Sequence, residues 1–184
     1  MKDLRQTLRQ KRRSVTNSDR VKCSKQLLSK CKSLGIFKTG RRIAIYLSND
    51  GEIDPVYIQK HMQMLGLCVY LPLLDGKSLK FAKTGNKFIK NRFGINEPVF
   101  SKYVNANRLN IILMPLVGFD NQKNRIGMGG GFYDRTLSFK MRQLDYKSPK
   151  LYGLAFDCQE VKRLDIQPWD VKLDGVITPN KIIK

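Results

Sequence analysis

A glycine-rich segment in front of a predicted helix carries the clearest chemical signature in the sequence. Gly127, Gly129, Gly130 and Gly131 all lie within a stretch of five residues. Glycine allows positive φ angles and a close approach of the backbone to a ligand, and successive N–H groups at such a turn bind anions. The segment has neither the Gly-Lys-Ser/Thr ending of a P-loop nor the G-x-G-x-x-G spacing. We interpret it as a phosphate or nucleotide cradle, with a flexible turn as the alternative.

Charged side chains on either side of the glycines supply the groups that phosphate chemistry needs. Arg125 precedes the glycines and is placed to hold a phosphate oxygen. Asp134 follows them and is a candidate ligand of Mg²⁺, which takes one or two carboxylates together with substrate phosphates. Glu52 and Asp170 would meet the glycines if all of them lie beyond the carboxyl ends of a parallel sheet. Asp170 and Asp174 are also typical turn residues.

The net charge of the chain is +20, from 35 Lys and Arg against 15 Asp and Glu. The excess is concentrated at the front, where Arg5, Arg9, Arg12 and Arg13 share one face of a predicted helix. Three interpretations remain open: a phosphate-rich partner such as nucleic acid, an organellar transit peptide, and a solvated helix in a lysine-rich chain. A local role toward a small phosphate ligand is compatible with the last of these.

Several classes of protein are excluded or disfavoured by composition. The longest apolar stretch, residues 111–119, is too short for a membrane span of about 20 residues. No apolar secretory signal follows the basic start, so we expect a cytoplasmic protein with reduced thiols. His61, the single histidine, is interpreted as structural. Tyr133 and Trp169 are able to stack on a ring ligand, with core packing as the alternative. The cysteines form no C-x-x-C zinc motif; they are Cys23, Cys31, Cys68 and Cys158.

Short apolar runs alternate with helical patterns along the chain. The predicted strands are residues 43–47, 67–71 (closed by Pro72), 109–114, 151–156 and 174–178. The predicted helices are residues 4–13, 19–34 (with N-cap types at 16–18), 55–65 (with Asp54 as cap) and 132–144. Residues 74–108 are less regular, with turn signals at 75–76, 85–86 and 97–98, and residues 117–131 are read as a polar loop.

This alternation predicts an α/β fold: an open, mainly parallel sheet flanked by helices, Rossmann-like and three-layered, with an N-terminal basic helix. The length of 184 residues fits one domain over residues 1–184.

Beyond these patterns, the sequence resembles the 5-formyltetrahydrofolate cyclo-ligase (methenyltetrahydrofolate synthetase) family over nearly its whole length. The resemblance rests on residues 46–55 (YLSNDGEIDP), 93–98 (FGINEP), 151–159 (LYGLAFDCQ) and 169–178 (WDVKLDGVIT). Its most specific part is residues 124–137 (NRIGMGGGFYDRTL). The resemblance implies an enzyme that uses ATP and Mg²⁺ to convert 5-formyltetrahydrofolate to 5,10-methenyltetrahydrofolate, with release of ADP and phosphate.

The resemblance also implies roles for individual residues. Arg125 and Tyr133 would be catalytic, and Lys2 and Arg5 would reach the ATP phosphates. The rest of the nucleotide loop would be Ile126, Gly127, Met128, Gly129, Gly130, Gly131 and Phe132. The folate substrate would contact Leu47, Glu52, Met128, Gly129, Gly130, Gly131 and Phe132. Magnesium would be held by Asp134 and Asp170.

Three positions depart from the family pattern. Phe132 stands where many members have tyrosine, Gly130 where some have lysine, and Lys2 and Arg5 are three residues apart rather than four. The alternatives to the cyclo-ligase reaction are a catalytically divergent paralogue that binds nucleotide or folate, and a basic nucleic-acid-binding protein. Expected partners are small molecules, with no membrane; nucleic acid is disfavoured for lack of a binding motif, and the sequence indicates no protein partner.

Overall fold

The computed structural model of the chain describes residues 2–85, 87–99, 102–142 and 148–184. The helices are α1 (Lys2–Arg13), α2 (Asn17–Ser33), α3 (Val56–Met64), α4 (Phe132–Leu137) and α5 (Phe139–Arg142), with 3-10 turns at Ala106–Arg108 and Asp157–Gln159. The strands are β1 (Ile43–Ala44), β2 (Val69–Asp75), β3 (Ser78–Lys83), β4 (Phe88–Lys90), β5 (Asn96–Pro98), β6 (Tyr103–Val104), β7 (Ile111–Pro115), β8 (Gly118–Phe119), β9 (Arg125–Ile126), β10 (Lys150–Leu154), β11 (Gly175–Ile177) and β12 (Ile182–Ile183).

Eight strands form the central sheet in the order β12-β11-β10-β7-β1-β2-β3-β6. Neighbours from β11 to β2 run parallel, with Ile43 of β1 opposite both Val69 and Ile111. The strands β12, β3 and β6 pair antiparallel at the two edges. The predicted mainly parallel α/β sheet is therefore confirmed. The apolar runs form the parallel part of this sheet, because a strand that is buried on both faces needs apolar side chains on both.

Alternate residues of the central strands enter two separate apolar clusters, one on each face of the sheet. Ile43 and Ile45 pack with Leu27 of α2 and Ile58 of α3. Ala44, on the opposite face, belongs to the cluster that contains Leu137 of α4. Helices therefore cover both faces, and the predicted three-layer arrangement is confirmed.

The basic helix α1 packs beside the carboxyl end of β7. Its Leu8 is buried with Val117 and Ile126. The second helix begins at a cap of the predicted type, since the Thr16 hydroxyl accepts a hydrogen bond from the Asp19 N–H at 3.2 Å. Pro55 occupies the N-cap position of α3, and the Asp54 carboxylate just before it accepts the Val56 N–H at 2.9 Å. Among the described residues, no helix is both long and apolar enough to cross a membrane.

Four local predictions need correction. Pro72 does not close a strand but lies inside β2, because β1 pairs only as far as Tyr70 and an edge segment tolerates a missing N–H. Residues 97–98 are not a turn but part of β5. The helix over 132–144 is interrupted at Ser138, and its predicted end falls outside the described residues. The polar loop 117–131 contains a hairpin of β8 and β9.

Two other predicted turns have different outcomes. The turn at residues 75–76 joins β2 to β3 as expected. The turn predicted at residues 85–86 involves Asn86, which lies outside the described residues.

Gly118 of β8 allows this hairpin to pack against α1, so Gly118→Ala should destabilise the fold. A Cβ at this position would lie 2.5 Å from Leu8 Cδ1 and 3.3 Å from Ile126 Cγ1. Overpacking of this kind costs about 1–3 kcal/mol of the free energy of unfolding, which urea denaturation would measure. Gly85→Ala is the matched control, because no atom lies within 4 Å of its added Cβ. Equal stability of the two variants would contradict the prediction.

Candidate functional site

A cavity of about 1390 Å³ opens beyond the carboxyl ends of the parallel strands. Its floor contains Tyr46 and Leu47, which follow β1, and Leu116 and Val117, which follow β7. In an open α/β sheet this edge is where ligands bind. The structure therefore brings loops that are distant in sequence to the place where convergence was predicted.

Most of the predicted site residues line this cavity. The members are Arg5, Leu47, Glu52, Arg125, Ile126, Gly127, Met128, Gly129, Gly130, Gly131, Phe132, Tyr133, Asp134 and Asp170. Lys2 is exposed at the start of α1 and is not among the lining residues. Asp174 also lies outside the lining, because its carboxylate accepts hydrogen bonds from the Leu151 N–H and the Lys150 ammonium. Of Lys2 and Arg5, the two cations predicted to reach the ATP phosphates, Arg5 is therefore the one that lines the cavity.

Arg125 is held on β9 with its side chain only 5% exposed. Its Nη2 donates to Asp134 Oδ1 at 2.6 Å, and its guanidinium lies 5.9 Å from the centre of the Tyr133 ring. The Arg125 Nε is buried with no hydrogen-bond partner in the described structure. A buried donor without a partner is costly, so this atom marks a place where a ligand acceptor would be favourable.

The turn before Arg125 is fixed by Asp120, which is fully buried. One carboxylate oxygen of Asp120 accepts the N–H groups of Gln122 and Asn124, and the other accepts the Leu164 N–H and the Asn124 side-chain amide. These four hydrogen bonds satisfy a buried charge that would otherwise be unfavourable. They orient β9, and with it Arg125, toward the cavity.

Glycine is required in this loop for both backbone conformation and space. Gly129 has φ +97° and Gly131, at the start of α4, has φ +63°. A Cβ on Gly130 would lie 2.8 Å from the Phe132 ring. The Arg5 Nε donates to the Gly127 carbonyl at 3.0 Å, which ties the loop to α1. Because α4 has only six residues, anion binding at this loop would depend on the loop N–H groups and the nearby cations, not on the helix.

Asp134 and Asp170 fit the oxygen chemistry of a magnesium site. In the described structure, Asp134 Oδ1 accepts from Arg125 and from the Val171 N–H, and Asp170 Oδ2 accepts from the Gln167 N–H. The second oxygen of each carboxylate receives no hydrogen bond from the described residues. No group of three or more His, Cys, Asp or Glu side chains gathers anywhere in the described part of the chain. A Mg²⁺ ion held by these two carboxylates would need substrate phosphates as further ligands.

The predicted arginine face of α1 exists, and three of its four arginines share the Asp50 carboxylate. Arg9 Nε and Arg12 Nη2 donate to Asp50 Oδ2 at 2.8 and 2.7 Å, and Arg13 donates to Oδ1. Asp50 was not predicted, although its SNDG turn, with φ +50° at Asp50, offered a signal for a special loop position. Asp50 offsets only one of the four positive charges, so the face stays cationic, with the Arg9 and Arg13 side chains partly exposed.

Glu52 lies in the same loop and is largely buried. Burial raises its pKa to about 7, while the nearby Arg12 guanidinium and a hydrogen bond from the Asn49 N–H at 3.1 Å oppose this rise. Its Oε1 lies 4.0 Å from Arg12 Nη1. Near neutral pH, Glu52 is therefore balanced between its carboxylate and carboxylic acid forms.

Because the folded state holds the Glu52 proton more tightly, this residue should lower stability as pH rises from its ordinary pKa of 4.5 to about 7. We expect Glu52→Gln to be more stable than the wild type by up to about 3 kcal/mol at pH 8 and nearly equal to it at pH 4. Urea denaturation at both pH values would measure this. A difference that does not change with pH would contradict the raised pKa.

Aromatic and cationic side chains form the outer wall of the cavity, and several were not predicted. Phe93 and Phe132 make an edge-to-face contact with ring centres 5.9 Å apart. The Arg135 guanidinium lies 5.6 Å from the Phe132 ring. Trp169 lines the cavity and is 65% exposed, so it is not a core residue. Tyr133 is partly buried, and burial raises the pKa of its hydroxyl.

Comparison with known proteins gives a consistent result. Residues 1–179 match the model of the 5-formyltetrahydrofolate cyclo-ligase family. A 5-formyltetrahydrofolate cyclo-ligase of Escherichia coli (strain K12) is 34% identical over 182 residues, which cover 95% of this chain and 98% of that protein. One from Haemophilus influenzae is 38% identical over 151 residues, 76% of each chain. The NMR structure of Aquifex aeolicus 5,10-methenyltetrahydrofolate synthetase is similar with a TM-score of 0.83 at 27% identity, covering 98% of this chain and 90% of that one.

Proposed function

Because the chain belongs to the 5-formyltetrahydrofolate cyclo-ligase family, and is therefore a ligase that acts on folate, we propose that it closes the folate ring at the expense of ATP. The proposed reaction converts 5-formyltetrahydrofolate and ATP to 5,10-methenyltetrahydrofolate, ADP and phosphate, with Mg²⁺ as the metal ion. We expect it to act in the cytoplasm on these small molecules.

The observation that carries this proposal is the size and lining of the cavity beyond the parallel strands. Its volume of about 1390 Å³ exceeds the roughly 300–1,000 Å³ usual for one small-molecule ligand. The glycine loop, Arg125 and Asp134 line the same cavity as Leu47 and Glu52. A cavity of this kind supports the simultaneous binding of two substrates, which a transfer between them requires.

The chemistry follows from the poor leaving ability of the formyl oxygen. This oxygen attacks the γ-phosphorus of ATP, the bond to the β-phosphate oxygen breaks, and ADP leaves. The product is an iminium phosphate on N5. N10 then attacks the activated carbon and loses its proton, the five-membered ring closes, and phosphate departs with the former formyl oxygen. No protein nucleophile is needed, so positioning and charge neutralisation are the main tasks of the enzyme.

The residues around the cavity suit these tasks. Arg125 and the N–H groups of residues 127–131 would bind the phosphates, with Arg5 at the edge of the loop. Asp134 and Asp170 would hold Mg²⁺, which when bound neutralises phosphate charge. Tyr133 would orient the transferring group. Glu52 and Leu47 would contact the pterin, whose N–H groups match a carboxylate acceptor.

A spectrophotometric assay with 5-formyltetrahydrofolate, ATP and Mg²⁺ tests the proposal, because the methenyl product absorbs differently from the substrate. We expect product only when all three are present. Binding of ATP and folate by a folded protein without product would instead favour the divergent paralogue. Tight, salt-dependent binding of oligonucleotides, with no turnover, would favour the nucleic-acid alternative.

A further inference from the structure

Arg12 is a fully buried arginine that the proposed chemistry does not use. Its exposed fraction is 0%, and it is not among the residues that line the cavity. Desolvation on burial lowers the pKa of its guanidinium, so the protein keeps this cation in an unfavourable environment. Replacing a buried ionic group with an apolar one of similar volume is often neutral or stabilising. A contribution to stability therefore does not by itself explain why an arginine is buried at this position.

The Arg12 guanidinium joins three segments that form different walls of the cavity. Its Nε donates to the Asp50 carbonyl at 3.0 Å and its Nη2 to Asp50 Oδ2 at 2.7 Å, in the loop after β1. Its Nη1 donates to the Leu116 carbonyl at 3.1 Å, beyond β7. Its Nη2 also lies 3.7 Å from Met128 Sδ in the glycine loop.

These contacts link the two halves of the proposed site. Asp50 precedes Glu52 by two residues, and Met128 lies among the loop glycines. The helix that carries Arg12 also carries Arg5, which bonds to the loop at Gly127. A planar, rigid guanidinium fork fixes directions as well as distances, which lysine cannot do. The folate side and the nucleotide side therefore share one buried anchor.

We propose that Arg12 is a positioning residue that holds the folate-binding loop, which includes Glu52, and the nucleotide loop in register. This inference rests on the proposed function. Arg12 touches neither substrate and acts through Asp50, Glu52 and Met128.

The groups that face Glu52 define how its ionisation depends on Arg12. Arg12 comes from α1, Tyr46 from the segment after β1 and Tyr133 from α4; each interacts electrostatically with Glu52. Asp50 in the same loop is paired with arginines. Among these groups in the described structure, Arg12 is the cation that favours the Glu52 carboxylate. Its removal should shift Glu52 toward the protonated form.

Three variants separate positioning from simple structural support. Arg12→Met removes both the charge and the fork, and Arg12→Lys removes only the fork. Arg13→Met is the matched control, because Arg13 also contacts Asp50 but is 53% exposed. For each variant we would measure KM for both substrates, and the binding of 5-formyltetrahydrofolate and of a non-hydrolysable ATP analogue between pH 6 and 9.

We expect Arg12→Met to raise both KM values about 10-fold and to move the acid limb of folate binding to a pH higher by about 1. Arg12→Lys should raise both KM values and leave the acid limb near its wild-type position, while Arg13→Met should match the wild type.

Lower thermal stability of the Arg12 variants with unchanged KM values and pH limb would overturn the inference. If Arg12→Met does not fold, Arg12→Lys decides by its KM values alone. Absence of turnover in the wild type would refute the proposed function instead, and the binding titrations would still report on Arg12.

Discussion

Replacing Asp134 by asparagine is expected to lower kcat about 1000-fold while the protein stays folded. Asparagine keeps the shape and the acceptor that Val171 and Arg125 use, but it removes the negative charge from the carboxylate proposed for Mg²⁺. The loss should be largest at limiting Mg²⁺, since a weakened site is only partly filled there. Steady-state assays over a range of Mg²⁺ concentrations would measure both effects.

Asp165→Asn is the matched control for Asp134→Asn. It makes the same change of charge on an exposed residue outside the cavity lining, so its kcat should equal that of the wild type. Circular dichroism and thermal unfolding would establish that both variants fold. Full activity of Asp134→Asn at limiting Mg²⁺ would remove Asp134 from the metal site.

Replacing Arg125 by methionine is the second change with a large expected effect. Arginines that stabilise a transferring phosphoryl group contribute about 10³–10⁵ in kcat, and Arg125 is buried at the loop with its Nε free to donate. Methionine fills similar space without charge or donors. We therefore expect kcat to fall at least about 1000-fold, with a weaker KM effect for ATP and little change in folate binding.

Arg163→Met, at an exposed position outside the cavity lining, controls for the loss of one positive charge. Because Arg125 and Asp134 form an ion pair, the double variant Arg125→Met/Asp134→Asn should lose less than the product of the two single losses. Additive effects would mean that the two residues act independently. A kcat near wild type in Arg125→Met would exclude a role in phosphoryl transfer.

Local patterns predicted the main elements of the sheet well. The runs at 43–47, 109–114, 151–156 and 174–178 each overlap a strand, because continuous apolar sequence is favoured where both faces of a strand are covered. The ends of the helices and strands were predicted less accurately. Ser138 interrupts a helix that periodicity alone would continue, and Pro72 lies within a strand because its neighbour strand has already ended.

The arrangement of the site could be predicted only in part. The glycine loop and its flanking Arg125 and Asp134 are contiguous in sequence, so their proximity follows from short chain segments. Their proposed roles in binding and catalysis stay predictions. The pairing of Asp50 with the arginines of α1 joins residues about 40 positions apart, and no local pattern indicated it.

The sequence by itself determined the alternation of strands and helices and the basic face of α1, and it predicts phosphate chemistry at the glycine segment. Each depends on residue type and spacing within one or two turns of chain. The tertiary structure alone decided that Arg12 is buried, that Asp50 pairs with three arginines of α1, and that Glu52 lies where its pKa is raised. Burial and pairing depend on which distant segments meet, because desolvation and Coulomb interactions act through space and not along the chain.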